Sequence, residues 1–533
     1  MPSRHHGRRT ISRFSFSLIA ALFFVLSSSL AVGLAGALHQ RSVAPPAGPM
    51  PKYLVLIVLD GAEPEYFHMG VTPHLEALRL AGIEYDQSFA GILESETPAG
   101  HATLSTGSTP AHDGMLGFNW VNGDNSTIHT FDPNVVRAGT VERIMQQAGA
   151  PTIASAFKQK YPKAKVVALS GHKYYAADPL GGPNADYIMY YAPDAHNHYV
   201  PTAIPGHVPP ASVLDAPGLS TATTTLPPGG EDHLAMKLAV HTFQTIHQQI
   251  TLINVPEFDW PLGHVYGGDP VKASYLMQSF DKDLGMLERA YAKAGVLDKT
   301  LFVITADHGM APLKYQIPDQ VLDGAVTKAG ATSAETTYST GGYIWLQNPA
   351  AAQTVANNVV AQHNAHIESV YYKVTTKRGD RFVRAGGLDI PPLVESANQY
   401  LLSSFAGGNS PDVVAMCMED SAFVAQGAAS WKGNHGGATW NSQHMPLLIS
   451  GPGVVRGVTS ASPARLEDIA PTVLTLMGAS PRRMDGSVLA DALAHPTGEQ
   501  TQTQATLNLQ LNPVVQALSA QSQGELSAEA ASE

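Results

Sequence analysis

The sequence predicts an α/β fold: a mainly parallel sheet sandwiched by helices, with a smaller α+β subdomain inserted into it. Three observations predict it. Apolar, β-branched runs such as YLVLIVLD from Tyr53 and TLFVITA from Thr300 do not alternate with polar residues, so they read as strands buried on both faces. Amphipathic helical stretches separate those runs along the chain. The alternation is interrupted once, between about residues 314 and 431, and then resumes.

The elements follow in order. Residues 1–38 read as a signal peptide or membrane anchor: Arg4, Arg8, Arg9 and Arg13 precede an apolar stretch from Phe14 to about Leu38, and Ala35-Gly36-Ala37 is a small-residue cleavage site. The protein is therefore expected to be exported, whether periplasmic, extracellular or anchored at its N-terminus, with no contact to a membrane other than an uncleaved N-terminal segment. Residues 39–52 are a Pro/Gly/Ala linker, and the main domain spans 53–494. After the first strand, TPHLEALRLAG from Thr72 has helical spacing with a Thr cap and a Gly stop. Val166–Leu169 reads as a strand, His233–Gln249 as a helix, Ile250–Val255 as a strand and Val271–Ala294 as a long amphipathic helix. The insertion, about 314–431, holds strand-like YIWLQ from Tyr343, helical AAAQTVANNVVAQ and strand-like ESVYYKV. Met445–Ser450 resumes the main pattern, followed by the helix RLEDIAPTVLTLMG. Residues 495–533 are a low-complexity tail rich in Gln, Ala, Ser, Thr and Glu, expected to be mobile or weakly helical.

Composition narrows the chemistry. A formal net charge of −12 at pH 7 gives no overall basic surface for a nucleic-acid backbone. One cysteine, Cys417, rules out an intramolecular disulfide and a multi-Cys zinc cluster. It lies in the apolar run VVAMCMED and reads as a small buried hydrophobe. The 22 histidines are the richer supply of metal ligands.

Ligands of open α/β sheets bind beyond the carboxyl ends of strands, and three acids occupy that position. Asp60 ends the first strand, Asp307 follows TLFVITA and precedes His308, and Asp259 follows the strand at Ile250 and precedes His264 by five positions. His435 lies in GNHGG, shortly before MPLLIS. Asp and His together suit borderline divalent ions, zinc above others. A candidate nucleophile comes from SETPAGHATLSTG: Pro98 fits the first helical position, which places Thr97 at the N-cap, at the positive end of the helix dipole. An alcohol is a poor nucleophile at neutral pH unless a metal lowers its pKa.

On these segments (VLD with Asp60, TPAGH with Thr97, ADHGM with Asp307 and His308, NHGG with His435, and the terminal DIAPTVLTLMG) the chain resembles the alkaline phosphatase superfamily, nearest to its nucleotide pyrophosphatase/phosphodiesterase branch, from about Tyr53 to Ala494. The resemblance implies an alkaline phosphatase-like fold and two divalent metal ions, with zinc favoured. One would be held by Asp60, Asp307 and His308 with the Thr97 oxygen, the other by Asp259, His264 and His435. It implies a phospho-threonine intermediate and a small phosphate-ester or nucleotide substrate. Two departures stand out. The family spaces the second Asp and its His four apart, whereas DWPLGH makes it five; Glu257 is the substitute ligand for Asp259. Asn119, expected to contact a phosphoryl oxygen, lies one residue later than in the commonest pattern.

Monoesterases of this superfamily carry a Lys and an Arg, two apart, against the extra charge of a monoester dianion. Lys173 is present as a phosphoryl contact, but Tyr175 stands where the Arg would be, and Tyr cannot make a bidentate cationic contact. This favours phosphodiesters or pyrophosphate bonds. Tyr174, Tyr175, Phe118 and Trp120 are candidates for an aromatic slot holding a nucleobase, with ordinary packing as the alternative reading. A broad phosphomonoesterase and a phosphonate hydrolase use the same core, and a non-catalytic surface binding protein is the reading from a different class. The complete ligand set speaks against the last. Oligomeric state is not legible.

Overall fold

A computed structural model describes residues 50–377, 379–405, 407–425 and 430–530 of the 533. The predicted signal or anchor, residues 1–38, lies outside the described residues. Among those described, no helix is long and apolar enough to cross a membrane.

The non-alternating runs are buried strands as expected. Leu54 to Leu59 are fully buried, each large aliphatic contributing about 1.5–3 kcal/mol relative to exposure. They form the middle of a nine-stranded sheet in the order Val458–Ser460, Gly82–Tyr85, Leu447–Ser450, Thr300–Thr305, Tyr53–Leu59, Ile250–Val255, Val166–Ser170, Tyr187–Pro193, Tyr199–Ala203. Tyr53–Leu59 is parallel to both neighbours, and the parallel block continues through Val166–Ser170 to Tyr187–Pro193. Leu447–Ser450 is antiparallel to the strands on either side, and so is the edge strand Tyr199–Ala203 to its one neighbour. The sheet is therefore mixed, mainly parallel at its centre. Short strands such as Gly82–Tyr85 and the Tyr187–Ala203 hairpin carry too little pattern to be read from the sequence.

Two features of the register matter for function. Leu59 is level with Val255, and Val58 with Thr305, so the residues following these three parallel strands leave one sheet edge together. Thr305 pairs with Leu447, the start of an antiparallel strand. An antiparallel strand brings the residues before it to the edge where its parallel neighbours bring the residues after them. The loop holding His435 therefore meets the loops holding Asp60, Asp259 and Asp307.

The irregular stretch is a subdomain with its own five-stranded antiparallel sheet, ordered Ser333–Tyr338, Gly341–Leu346, Val413–Cys417, Ile367–Thr376, Gly379–Gly387. It has a separate apolar core that includes Leu322, Ile344, Val355, Val370 and Cys417. Cys417 is a buried free thiol there, as its apolar context indicated.

The tail is a 33-residue helix, Gly498–Ala530. Leu511, Val514, Val515 and Leu518 are buried, spaced at i, i+3, i+4 and i+7 on one helical face. Asn508 Nδ2 donates to Ser462 Oγ at 3.1 Å, and the Glu419 N–H of the subdomain donates to Glu525 Oε2 at 2.8 Å. Of the two expectations for the tail, mobile or weakly helical, the helical one describes it, as a docked helix.

Candidate metal centre

Six of the predicted residues assemble into two buried groups: Asp60, Asp307 and His308, and Asp259, His264 and His435. In each, the ligand atoms lie within 4.8 Å of one another. The two groups adjoin. The rings of His308 and His435, one from each group, stack with centroids 3.5 Å apart. Lys173 Nζ donates to Asp60 Oδ1 at 2.9 Å and to Asp259 Oδ2 at 2.5 Å, one carboxylate from each group.

The three imidazoles are oriented alike. His264 Nδ1 donates to Gly433 O at 2.8 Å, His308 Nδ1 to Gly309 O at 2.9 Å and His435 Nδ1 to Ser95 O at 3.1 Å. A carbonyl can only accept, so Nδ1 carries the proton and Nε2 is the atom turned to the carboxylates. Asp60 is held just as firmly: Asn254 Nδ2 donates to its Oδ2 at 2.6 Å, and Ser170 Oγ donates to Asn254 Oδ1 at 2.6 Å. His101, inside the nucleophile helix, lies with Nε2 3.0 Å from Asn254 Nδ2 and Nδ1 3.2 Å from Asp307 Oδ2.

The donor set fits divalent cations on an observation of its own. Asp259 Oδ1, Asp307 Oδ2 and His308 Nε2 are buried without a hydrogen-bond partner, an unfavourable arrangement for polar atoms unless something positive faces them. The electrostatics agree. Burial pushes the Asp60 carboxyl up, but Lys173 and His308 outweigh it and hold it well below the usual carboxylate range. Burial likewise opposes ionisation of Asp259, and Lys173 and His264 more than reverse it. Burial lowers His308, yet Asp307, Asp60 and Asp259 lift it to about 9. Burial and the neighbouring His308 lower His435 to about 4. The pocket is thus built around negative charge and draws cations to itself.

Thr97 is buried beside the first group, its Oγ1 3.4 Å from Asp60 Oδ1. It is the first residue of the helix Thr97–Thr106, with Glu96 in the capping position, which corrects the expected N-cap by one residue. Its hydroxyl donates to Asp60 Oδ1, and the side chain of Glu96 in the capping position makes no cap hydrogen bond. Gly100 lets this helix lie against the Asp307 loop: a Cβ there would fall 2.7 Å from Asp307 O. Gly61 has φ +69°, and a Cβ would meet Asp259 Cβ at 3.1 Å and His308 Cε1 at 3.2 Å. Gly61→Ala is therefore expected to destabilise the fold by about 1–3 kcal/mol and to weaken metal retention, measured by urea unfolding and by metal content after dialysis.

The extra residue between Asp259 and His264 is absorbed in a wide π-type turn over Asp259–Gly263, where Trp260 leaves helical geometry at φ −123°, ψ 112°. Glu257 does not substitute as a ligand. Its carboxylate accepts the N–H groups of Gly229 at 2.6 Å and Glu231 at 2.7 Å, at the start of the helix Gly230–Ile246. Asn119 is half-buried on the short strand Asn119–Val121, its Oδ1 2.8 Å from His129 Nδ1.

Of the four rings expected to line an aromatic slot, Tyr174 and Tyr175 meet with centroids 5.2 Å apart. Trp120 is fully buried and is packing. Tyr175 instead lies 5.3 Å from Phe118 and 5.0 Å from Phe131, a largely exposed ring. The structure adds Phe131, Asn254 and His101 to this neighbourhood. Asn254 had a signal, a lone amide inside the apolar strand ITLINV, and so did His101, one helical turn after Thr97.

Residues 54–438 match the family described as type I phosphodiesterase / nucleotide pyrophosphatase. The alkaline phosphatase PhoK of Sphingomonas sp. is 23% identical over 414 residues, 66% of this chain and 73% of that protein. The crystal structure of the alkaline phosphatase PafA superposes with a TM-score of 0.64 at 16% identity, over 84% of this chain and all of that one. Murine ectonucleotide pyrophosphatase/phosphodiesterase 5, solved as an inactive variant in complex with AMP, superposes with a TM-score of 0.58 at 16% identity, over 83% of this chain and all of that one.

Proposed function

Since this chain belongs to the type I phosphodiesterase / nucleotide pyrophosphatase family, we propose that it is an exported phosphodiesterase or nucleotide pyrophosphatase acting through a phospho-threonine intermediate on Thr97. The observation that carries this is the adjoining pair of buried Asp/His groups with the Thr97 hydroxyl against one of them. Export rests on the basic-then-apolar character of residues 1–38.

Two zinc ions, one held by Asp60, Asp307 and His308 with Thr97, the other by Asp259, His264 and His435, would supply charge that lowers the pKa of the threonine hydroxyl and neutralises the phosphoryl oxygens. The chain's own residues do the rest. Asp60 Oδ1 orients the Thr97 hydroxyl proton, leaving an oxygen lone pair for phosphorus. The Thr97 Oγ–P bond forms as the P–O bond to the leaving group breaks; the leaving oxygen keeps the electron pair, and the threonine proton passes by way of solvent to that oxygen, which leaves as the alcohol. The positive end of the ten-residue helix faces the phosphoryl group. Asn119 and Lys173 contact its non-bridging oxygens. Water then hydrolyses the phospho-threonine and regenerates Thr97.

Diester preference follows from Tyr175. Burial raises the pKa of its phenol, which Lys173 only partly opposes, so the ring stays neutral. It cannot supply the second cation that a monoester dianion needs. With Phe118 and Phe131 it offers a ring-lined wall suited to a nucleobase, in keeping with the AMP complex of the murine protein. Phosphomonoesterase activity is the second reading, favoured by the retained Lys173 and by two similar proteins being named alkaline phosphatases.

The test is comparative kinetics on p-nitrophenyl phosphate, bis-p-nitrophenyl phosphate and a nucleoside 5′-monophosphate p-nitrophenyl ester. The diesters are expected to exceed the monoester in kcat/KM by about tenfold or more, the loss expected from roughly 1.4 kcal/mol of missing charge stabilisation. The reverse ranking makes the protein a phosphomonoesterase.

A further inference from the structure

The longer turn of the second group has a consequence for its surroundings. Trp260, directly after Asp259, is 42% exposed. Its ring meets Trp431 edge-on, with centroids 6.0 Å apart. Trp431 lies 4.4 Å from the imidazole of His264, and Trp260 5.9 Å from it. Neither indole belongs to the two apolar cores of the described residues. A partly exposed indole beside a second, half-buried one and against a candidate metal ligand is an aromatic surface suited to stacking a planar ring. It is separate from the Phe118–Phe131–Tyr175 wall, whose Tyr175 faces Lys173.

We propose that Trp260 and Trp431 form a leaving-group subsite that takes a planar aromatic ring, such as the base of a second nucleoside or an aryl group. The inference rests on the phosphodiesterase reading above. Thr97 stands against Asp60 of the first group. In an in-line displacement the leaving oxygen departs opposite the nucleophile, towards the second group. The substituent on that oxygen is then beside His264, where the two indoles lie. When the P–O bond breaks, the oxygen keeps the electron pair and the ring departs with it as the product alcohol. One aromatic wall holds the transferred part of the substrate and the other holds the part released.

The experiment uses the full-length, zinc-loaded protein and diesters that share one nucleoside phosphate and differ in leaving group: a second nucleoside, p-nitrophenol or methanol. Trp260→Ala is expected to lower the ratio of kcat/KM for ring-bearing over methyl leaving groups by about tenfold, in the range of one stacked ring. Trp260→Phe should restore most of the ratio. A fall in both ring-bearing arms marks a general ring subsite, and a fall in the nucleoside arm alone marks a nucleoside subsite. An unchanged ratio, or equal loss on the methyl ester, overturns the proposal. A readout independent of turnover separates this from failure of the diesterase reading. In the Thr97→Ala protein, adenosine should quench tryptophan fluorescence, and Trp260→Ala should remove that quenching. If no quenching occurs, the subsite is wrong whatever the enzyme hydrolyses.

Discussion

Replacing Thr97 by alanine is expected to lower kcat by roughly 10⁴-fold or more, the scale seen when a nucleophile is removed from a site that acts as a unit, while metal content stays near two equivalents. The physical reason is that the hydroxyl is the attacking group in the proposed mechanism. Thr97 is buried, its Oγ1 reaches Asp60 at 3.4 Å, and it is the first residue of its helix, Glu96 being in the capping position. Alanine is a good helix former, so the helix Thr97–Thr106 should persist and unfolding should be little changed. Thr97→Ser keeps the attacking oxygen and should retain measurable turnover. Metal analysis, steady-state kinetics and acid trapping of a phosphoryl-enzyme from a radiolabelled substrate check the three parts. Residual activity of a tenth or more in Thr97→Ala refutes the nucleophile assignment.

Chelation is expected to abolish turnover, and added zinc to restore it. The pocket concentrates Asp60, Asp259 and Asp307, with Lys173 Nζ bonded to two of them, and among its buried polar atoms Asp259 Oδ1, Asp307 Oδ2 and His308 Nε2 have no hydrogen-bond partner. Cations that bind the folded state alone also stabilise it, by about 4 kcal/mol at a thousandfold excess over Kd. The metal-stripped protein should therefore melt lower as well as lose activity, and zinc should reverse both. Equal turnover before and after stripping refutes the two-metal reading. Equal melting temperatures with lost activity would place the cations in the reaction but not in the stability of the fold.

Much of this was legible from local pattern. Asp60, Asp259 and Asp307 announced themselves because a buried parallel strand is a run of apolar residues, and an acid at its carboxyl end breaks that run visibly. The tail reads as mobile or weakly helical, and what that reading lacks is the docked apolar face. Leu511, Val514, Val515 and Leu518 keep helical spacing, but polar residues outnumber them along the segment and the average composition hid the stripe. Glu257 and Asp259 were indistinguishable as ligands in one dimension, since both are acids just past the same strand. Only the fold shows Glu257 turned away to the backbone of Gly229 and Glu231.

The sequence by itself determined the class of fold, the residue types at the strand ends and the identity of the candidate nucleophile, because each depends on chemistry within a few neighbouring positions. The tertiary structure decided which of them meet. The antiparallel course of Leu447–Ser450 carries His435 to the same edge as Asp307, Lys173 spans the two Asp/His groups, and Trp431 arrives from 171 positions beyond Trp260 to lie against it. These are long-range pairings set by strand direction and register, and no local propensity encodes them.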